Sequence, residues 1–350
     1  MKICVISTSV FKAPPEGYSG LEMIAWQCAK GLAELGHEVS LVAPFGSSCP
    51  GVSMINAGAE GTWEERQSYN LYWKELLRFD VVIDHTWTKN SYMLKAEGVL
   101  KCPILGVMHA PIATMYGMLP PVDNPCMVCI SHDQANHFQA LHNREAKVCY
   151  NGVDHSVYRP LGIPRTDRFL FCGRIASIKG TLICMKACKE AGVGLDVIGD
   201  TKITNEPDYH AACVKEADGK QIRLIGNQTR GSCVWWMSQA HAFIHSAFPF
   251  REPYGLAPVE AMLCGLPVIA SDNGALRETV PHGPESFAAD APGVLLKKEK
   301  DLVEAIRAWK ERPFRPEQRA NVRELAKRFS VQAMCRRYEE LAKEALEGGW

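Results

Sequence analysis

Two glutamates eight positions apart, Glu252 and Glu260, flank a Tyr-Gly turn in "FREPYGLAPVEAMLCGLPVIAS" (250–271). Pro258 suits the first turn of a helix, Gly265 suits its C-terminal cap and Pro267 forbids continuation, so "LAPVEAMLC" predicts a short helix after the turn. Glu252 then lies in the loop before that helix and Glu260 within its first turns. A carboxylate near a helix N-terminus is favoured electrostatically with no function at all. That accounts for Glu260 but not for Glu252, which precedes a turn that exposes backbone N–H groups. Two further loops carry anion chemistry. In "CGRIASIKGT" (172–181) Arg174 follows a strand and Lys179 sits beside a glycine at a helix start. A guanidinium fork and a compact ammonium converging there would neutralise a diphosphate, the alternative being two solvated cations. In "PPEGYSGLE" (14–22) Gly20 opens a helix whose free N–H groups favour negative charge.

Alternating elements place these loops. "KICVIST", the helical run "SGLEMIAWQCAKGLAEL" and "HEVSLVAP" form a βαβ unit. The strand-like runs "DVVIDH" (80–85), "PILGVMHA" (103–110) and "CMVCISH" (126–132) continue a parallel sheet covered on both faces. Prolines and charges break the rhythm, and the linker is placed at 156–167. The pattern then restarts with "FLFCGR", "TLICMKACKEAG", "LDVIGD", "IRLIGN", "GSCVWWMSQA", "AFIHSA" and "LPVIAS", with "KDLVEAIRAWKE" as a late helix. The tail "RANVRELAKRFSVQAMCRRYEELAKEALEGG" reads as amphipathic helix that packs on or bridges two domains. The fold class is therefore α/β, with two Rossmann-like doubly wound domains, 1–160 and 161–330, facing a cleft, and a helix at 331–350 returning to the first. Ligands in such sheets bind at the carboxyl ends of the strands.

With 350 residues, 47% apolar composition and a formal net charge of zero, the chain reads as globular and lacks the global positive field that nucleic-acid binders use. No nucleic-acid partner is expected. The N-terminal run lacks a signal-peptide pattern and no window reaches the roughly 18 apolar residues of a membrane span. The 14 cysteines are scattered through strands and helices, as suits reduced, buried thiols in a cytoplasmic protein. The one CxxC, Cys126 to Cys129, has neither a second pair nor histidines at zinc spacing and reads as two thiols on a strand. An NAD-dependent dehydrogenase is disfavoured, because "VSLVAP" ends without the acidic residue that holds a ribose.

The run from Glu252 to Glu260, with seven residues between them, resembles the E-x7-E signature of retaining glycosyltransferases of the GT-B fold, family 4 type. The resemblance extends to the N-terminal glycine loop and helix, to "NGVD" (151–154), to "GRIASIKG" as a phosphate loop and to "SDNGALRETV" (271–280). It implies transfer of a sugar from a nucleotide-diphosphate donor to a hydroxyl acceptor, without a metal or other cofactor. Carried over, Glu252 would bind the donor sugar's hydroxyls and Glu260 those of the ribose, while Arg174 and Lys179 would hold the departing diphosphate. The N–H groups of Gly255, Leu256 and Ala257 would face the sugar and distal phosphate. Gly20, Gly173 and Tyr254 would complete the donor contacts, and Asn227 and Gln228 would line the base pocket. His109 matches a family histidine that contacts the transferred sugar. Asp84 and His85 also end a strand, with no role assigned. Ser19-Gly20 stands where many members have Gly-Gly, and Asp200 where a small residue is common.

Family members are thought to retain configuration by front-face attack, the leaving phosphate taking the acceptor proton, so Glu252 serves binding and orientation rather than nucleophilic attack. Other GT-B chemistries, a nucleotide-sugar epimerase or a phosphorylase, and a non-catalytic nucleotide-sugar sensor are the alternatives. The acceptor, a saccharide, lipid or small metabolite, is assigned to the loop at 110–125, through which peripheral membrane contact is open. The protein is expected to be a monomer or homodimer whose domains close around the donor.

Overall fold

The computed structural model describes residues 1–17, 19–112, 125–201, 204–282 and 291–350. The assigned acceptor loop therefore lies, from 113 to 124, outside the described residues. The chain divides into two compact units, one of residues 1–152 and 329–350, the other of 153–328.

The first unit alternates β1 (Lys2–Ile6), α1 (Leu21–Glu34), β2 (Glu38–Ala43), β3 (Ser53–Asn56), α2 (Glu65–Tyr72), β4 (Val81–Asp84), α3 (Ser91–Ala96), β5 (Ile104–Met108), β6 (Cys126–Cys129), α4 (His132–His142) and β7 (Lys147–Val148). Its strands form one parallel sheet in the order β3-β2-β1-β4-β5-β6-β7. The central strands are buried along almost their whole length, which is why they read as continuous apolar runs rather than alternating ones. Each large apolar side chain so buried contributes about 1.5–3 kcal/mol.

The second unit runs β8 (Phe169–Cys172), α5 (Thr181–Ala191), β9 (Leu195–Ile198), α6 (Pro207–Glu216), β10 (Ile222–Gly226), α7 (Arg230–Gln239), β11 (Phe243–His245), α8 (Leu256–Leu263), β12 (Val268–Ser271), α9 (Leu276–Thr279), β13 (Gly293–Leu296), α10 (Leu302–Lys310) and α11 (Pro316–Ala326). The sheet is again all parallel, ordered β10-β9-β8-β11-β12-β13. Phe169, Phe171, Leu195, Val197, Ile244 and the fully buried Trp309 anchor its core.

Two expectations change. The tail is not one helix: α11 gives way to a tight 3-10 turn at Lys327–Phe329, and Ser330, accepting the Ala333 N–H at 3.2 Å, caps α12 (Val331–Leu346). A serine hydroxyl competes with the helical backbone and so starts a new helix there. α12 packs on α1 within the first unit, where Gly31 lets it come close: a Cβ at Gly31 would lie 2.3 Å from Cys335 Sγ. The segment at 156–167, read as a linker, is bonded into the second unit. Leu161 N–H donates to Ser238 Oγ at 3.2 Å and Thr166 N–H to the Gln239 carbonyl at 2.7 Å.

Candidate active site

In a doubly wound sheet the strand order reverses between the first strand and the fourth, and that crevice is where ligands bind. In the second unit the reversal lies between β8 and β11, so the residues that leave their carboxyl ends define the candidate site. From β8 come Gly173 and Arg174. Gly199, after β9, presses on this loop so closely that a Cβ there would sit 1.9 Å from the Gly173 carbonyl oxygen. Arg174 is half-buried, and its Nε is a buried donor without a hydrogen-bond partner among the described residues. An unsatisfied buried donor of this kind is costly and invites an acceptor.

The loop continues through a 3-10 turn, Ser177–Lys179, to Gly180, the residue before α5. Gly180 has φ +67°, and a Cβ there would lie 1.9 Å from the Ser246 carbonyl oxygen. Ser246 Oγ donates to the Gly180 carbonyl at 2.8 Å. Only glycine satisfies both the left-handed backbone and this approach, so the loop is pinned to the end of β11. One N–H of the first turn of α5, that of Leu182, is already taken by the Tyr209 hydroxyl at 2.8 Å.

Lys179 reaches across to Glu252, its Nζ 2.5 Å from Oε2. The same Oε2 receives His245 Nε2 at 3.1 Å. Glu252 is 5% exposed. Burial alone would raise its pKa, but the Lys179 charge and the His245 hydrogen bond overrule it and hold the carboxyl well below the usual range. The backbone around Glu252 is fixed from the next strand. Asn273 Nδ2 donates to the carbonyls of Phe248 at 3.1 Å and Phe250 at 2.8 Å. Ala275 N–H donates to the Glu252 carbonyl at 2.9 Å, and Gly274 permits the approach, since a Cβ there would be 2.3 Å from that oxygen.

Gly255, at φ +85°, then turns the chain into α8. Leu256 and Ala257 open this helix half-buried, while Tyr254 lies in the core at 2% exposure. Glu260 sits one turn on, half-buried, with Tyr158 hydrogen-bonded to it and the Arg230 charge nearby. Burial raises its pKa, and Tyr158 and Arg230 oppose that rise. Arg319 holds the far end of α8, donating to the Gly265 carbonyl at 3.2 Å. Asn227 and Gln228 follow β10, Asn227 exposed.

In the first unit the reversal lies between β1 and β4. Gly20 precedes α1 in right-handed geometry. Next to it Ser19 is in use: its hydroxyl and that of Thr8 both donate to the buried Glu22 carboxylate, which explains a serine where a glycine was expected. His109, after β5, is half-buried and pairs through Nε2 with Nδ1 of the fully buried His85 at 2.8 Å. Burial, with the Lys89 charge, lowers the His109 pKa to about 3. His85 is pushed well below the ordinary value by burial, His109 and Lys89. Beside them Asp84 accepts from Thr86 N–H at 2.8 Å, Thr86 Oγ1 at 2.6 Å and Ser91 Oγ.

The structure thus brings Lys179, Glu252 and, in the same loop as Lys179, Arg174 to one switch point, and leaves Gly20 and His109 in the other unit. His245, Tyr158, Arg230 and Asn273 escaped sequence reasoning. The one signal for His245 was an imidazole ending the apolar strand "AFIH". Among the described residues no three His, Cys, Asp or Glu side chains gather as a metal site, and no helix is long and apolar enough to cross a membrane. All 14 cysteines are free, and burial raises the Cys129 thiol to about 12 and that of Cys126 to about 11.

Family profiles match in succession, "Glycosyltransferase Family 4" over residues 18–157 and "Glycosyl transferases group 1" over 159–329. The D-inositol 3-phosphate glycosyltransferase of Mycolicibacterium paratuberculosis is 25% identical over 340 residues, covering 80% of this chain and 76% of that one. Among solved structures, sucrose-phosphate synthase of Thermosynechococcus elongatus superposes with TM-score 0.79 at 18% identity, over 99% of this chain and 100% of the other. HepE of Anabaena in complex with UDP-glucose gives TM-score 0.76 at 18% identity, over 98% and 100% of the two chains. The two doubly wound parallel sheets and the two consecutive family matches make this chain a glycosyltransferase of group 1 with the GT-B fold.

Proposed function

We propose that the protein transfers a sugar, with retention of configuration, from a nucleotide-diphosphate sugar to an acceptor hydroxyl. UDP or GDP is the carrier, and a relative of the same fold solved with UDP-glucose supports this class of donor. The observation that carries the reading is the Arg174 side chain, in the same loop as Lys179, whose buried Nε lacks a hydrogen-bond partner among the described residues. A diphosphate is the ligand that would satisfy both cations.

The roles follow from chemistry. Arg174 and Lys179 neutralise the charge that builds on the diphosphate as the glycosidic bond breaks, so no metal ion is needed for that task. The backbone N–H groups at Gly255, Leu256 and Ala257 add dipoles at the start of α8. Glu252 stays ionised and accepts hydrogen bonds from the sugar's hydroxyls through Oε1, which carries no hydrogen bond among the described residues. Glu260 accepts from the ribose. His109, neutral at physiological pH, contributes a hydrogen bond to the transferred sugar. The leaving phosphate takes the acceptor proton on the face it vacates, so no carboxylate acts as nucleophile.

A coupled assay of UDP or GDP release, run with and without EDTA, tests the reaction class, and NMR of the product's anomeric proton tests retention. Activity that survives chelation, with the donor's anomeric configuration kept, is expected. Inverted product would overturn the front-face reading, and loss of turnover with EDTA restored by a divalent cation would overturn metal independence.

A further inference from the structure

Glu252 Oε2 has two protein donors of different character. Lys179 stands on a flexible four-carbon stem in the loop that meets the diphosphate, whereas His245 closes β11, inside the sheet, paired with Ala270 of β12. His245 is 4% exposed, and its Nδ1 is buried with no partner, so the bond from Nε2 to Glu252 is its one side-chain hydrogen bond among the described residues. An ionised carboxylate only accepts, so Nε2 carries the proton. Lys179 serves two anions, the carboxylate in the free protein and the diphosphate in the donor complex. His245 serves one.

We infer that His245 is a positioning residue for sugar recognition: it holds Glu252 by Oε2 and keeps Oε1 presented to the donor's sugar hydroxyls while Lys179 engages the diphosphate. This rests on the proposed donor reading. It deepens that reading, because the imidazole adds nothing to nucleotide affinity and acts only through the carboxylate. Among the described residues no other group bonds the Glu252 carboxylate once the ammonium is shared, and a carboxylate freed to rotate loses the alignment that hydroxyl recognition requires.

The test is calorimetric titration of UDP and UDP-glucose, and of GDP and GDP-mannose, into wild type, His245→Leu, His245→Asn and His245→Gln. Melting temperatures identify which variants fold. The glutamine amide nitrogen reaches where Nε2 stands, and that of asparagine does not. His245→Leu and His245→Asn should bind the free nucleotide within about 2-fold of wild type but lose about 10- to 100-fold in nucleotide-sugar affinity, as expected for a hydrogen bond to a charged group. Their kcat should fall by a similar factor, and His245→Gln should recover most of both losses. Equal loss for nucleotide and nucleotide sugar, or a folded glutamine variant that behaves like leucine, would overturn the positioning role. If wild type binds none of the four ligands, the donor reading fails and this inference fails with it. If wild type binds them and the folded variants keep its preference for the sugar conjugate, this inference alone fails.

Discussion

The two units share one strand order around their reversal points yet prepare opposite electrostatics there. At the end of β8 and β11, the half-buried Lys179 and the buried Glu252 are held as an ion pair at 2.5 Å with His245 on the same oxygen. At the end of β4 and β5, His85 and His109 meet at 2.8 Å, and burial with the Lys89 charge keeps His109 neutral down to about pH 3. A charged cluster suits a diphosphate that brings charge of its own and leaves with more. A neutral imidazole pair offers a hydroxyl group a directional hydrogen bond without adding a fixed charge. On the proposed reading, anion handling falls to the second sheet alone, while hydroxyl recognition is shared between Glu252 and Glu260 there and the neutral His109 of the first, and the chemistry of each reversal point, rather than its topology, makes the division.

The largest effects should come from removing charge at the second sheet. Arg174→Ala and Lys179→Ala should each lower kcat about 10²–10³-fold at saturating donor, the cost of one transition-state donor. Steady-state kinetics checks this, and a loss confined to KM would reduce both residues to ground-state binding. Next comes the glycine that sets the loop. Gly180→Ala places a Cβ 1.9 Å from the Ser246 carbonyl oxygen, whereas Gly192→Ala, at almost the same φ, meets nothing within 4 Å. Denaturant unfolding should show about 1 kcal/mol lost at Gly192 and about 3 kcal/mol or more at Gly180. Equal losses would mean that the loop is not pinned to β11.

His109→Ala should lower kcat about 10- to 100-fold while leaving nucleotide affinity unchanged, since only a hydrogen bond to the sugar is lost. An equal loss of nucleotide affinity would erase the distinction between the sheets. The pH dependence of stability separates them further. Below about pH 6.5 the unfolded chain protonates a histidine that the folded chain keeps neutral. Stability therefore falls as pH falls, by up to about 1.4 kcal/mol per pH unit for each such histidine, until His109 protonates near 3. Glu252, with its folded pKa depressed, is ionised in both states above the ordinary carboxylate range and adds its own loss only below about 4.3. Replacing His109 with Phe should flatten the slope between pH 5 and 6.5. An unchanged slope there would show that His109 is not held neutral.

Much of this site was legible because its residues are chemically conspicuous. Arg174, Lys179 and Glu252 are charged residues beside glycines and prolines that dictate the local backbone, so the sequence places them in loops at strand ends and Glu260 in the helix that follows, while their roles toward a donor came from the family resemblance. His245 was not legible, because a histidine closing an apolar strand looks like packing until the chain brings Glu252 back to it. Tyr158 lay hidden in a proline-rich segment whose side chains have no periodicity to read. His85 and His109 were both singled out, but their pairing depends on β4 and β5 being neighbours, which is a property of strand order. The short strands β3, β7 and β13, of four, two and four residues, carry too little pattern to mark themselves. The division of the tail at Ser330 turned on one hydroxyl, and hydrophobic periodicity does not register a hydroxyl.

If Arg174, Lys179 and Glu252 hold a nucleotide-diphosphate sugar, nucleotides must stabilise the fold through them. A thermal-shift comparison of wild type, Arg174→Ala and Glu260→Ala against UDP, GDP, ADP and their sugar conjugates tests it most directly. At 100 times its dissociation constant a bound ligand stabilises the fold by about 2.7 kcal/mol. UDP or GDP and its conjugates should raise the wild-type melting temperature, and both variants should lose the effect. Stabilisation of wild type and Arg174→Ala by the same amount, or of neither by any nucleotide, would contradict it.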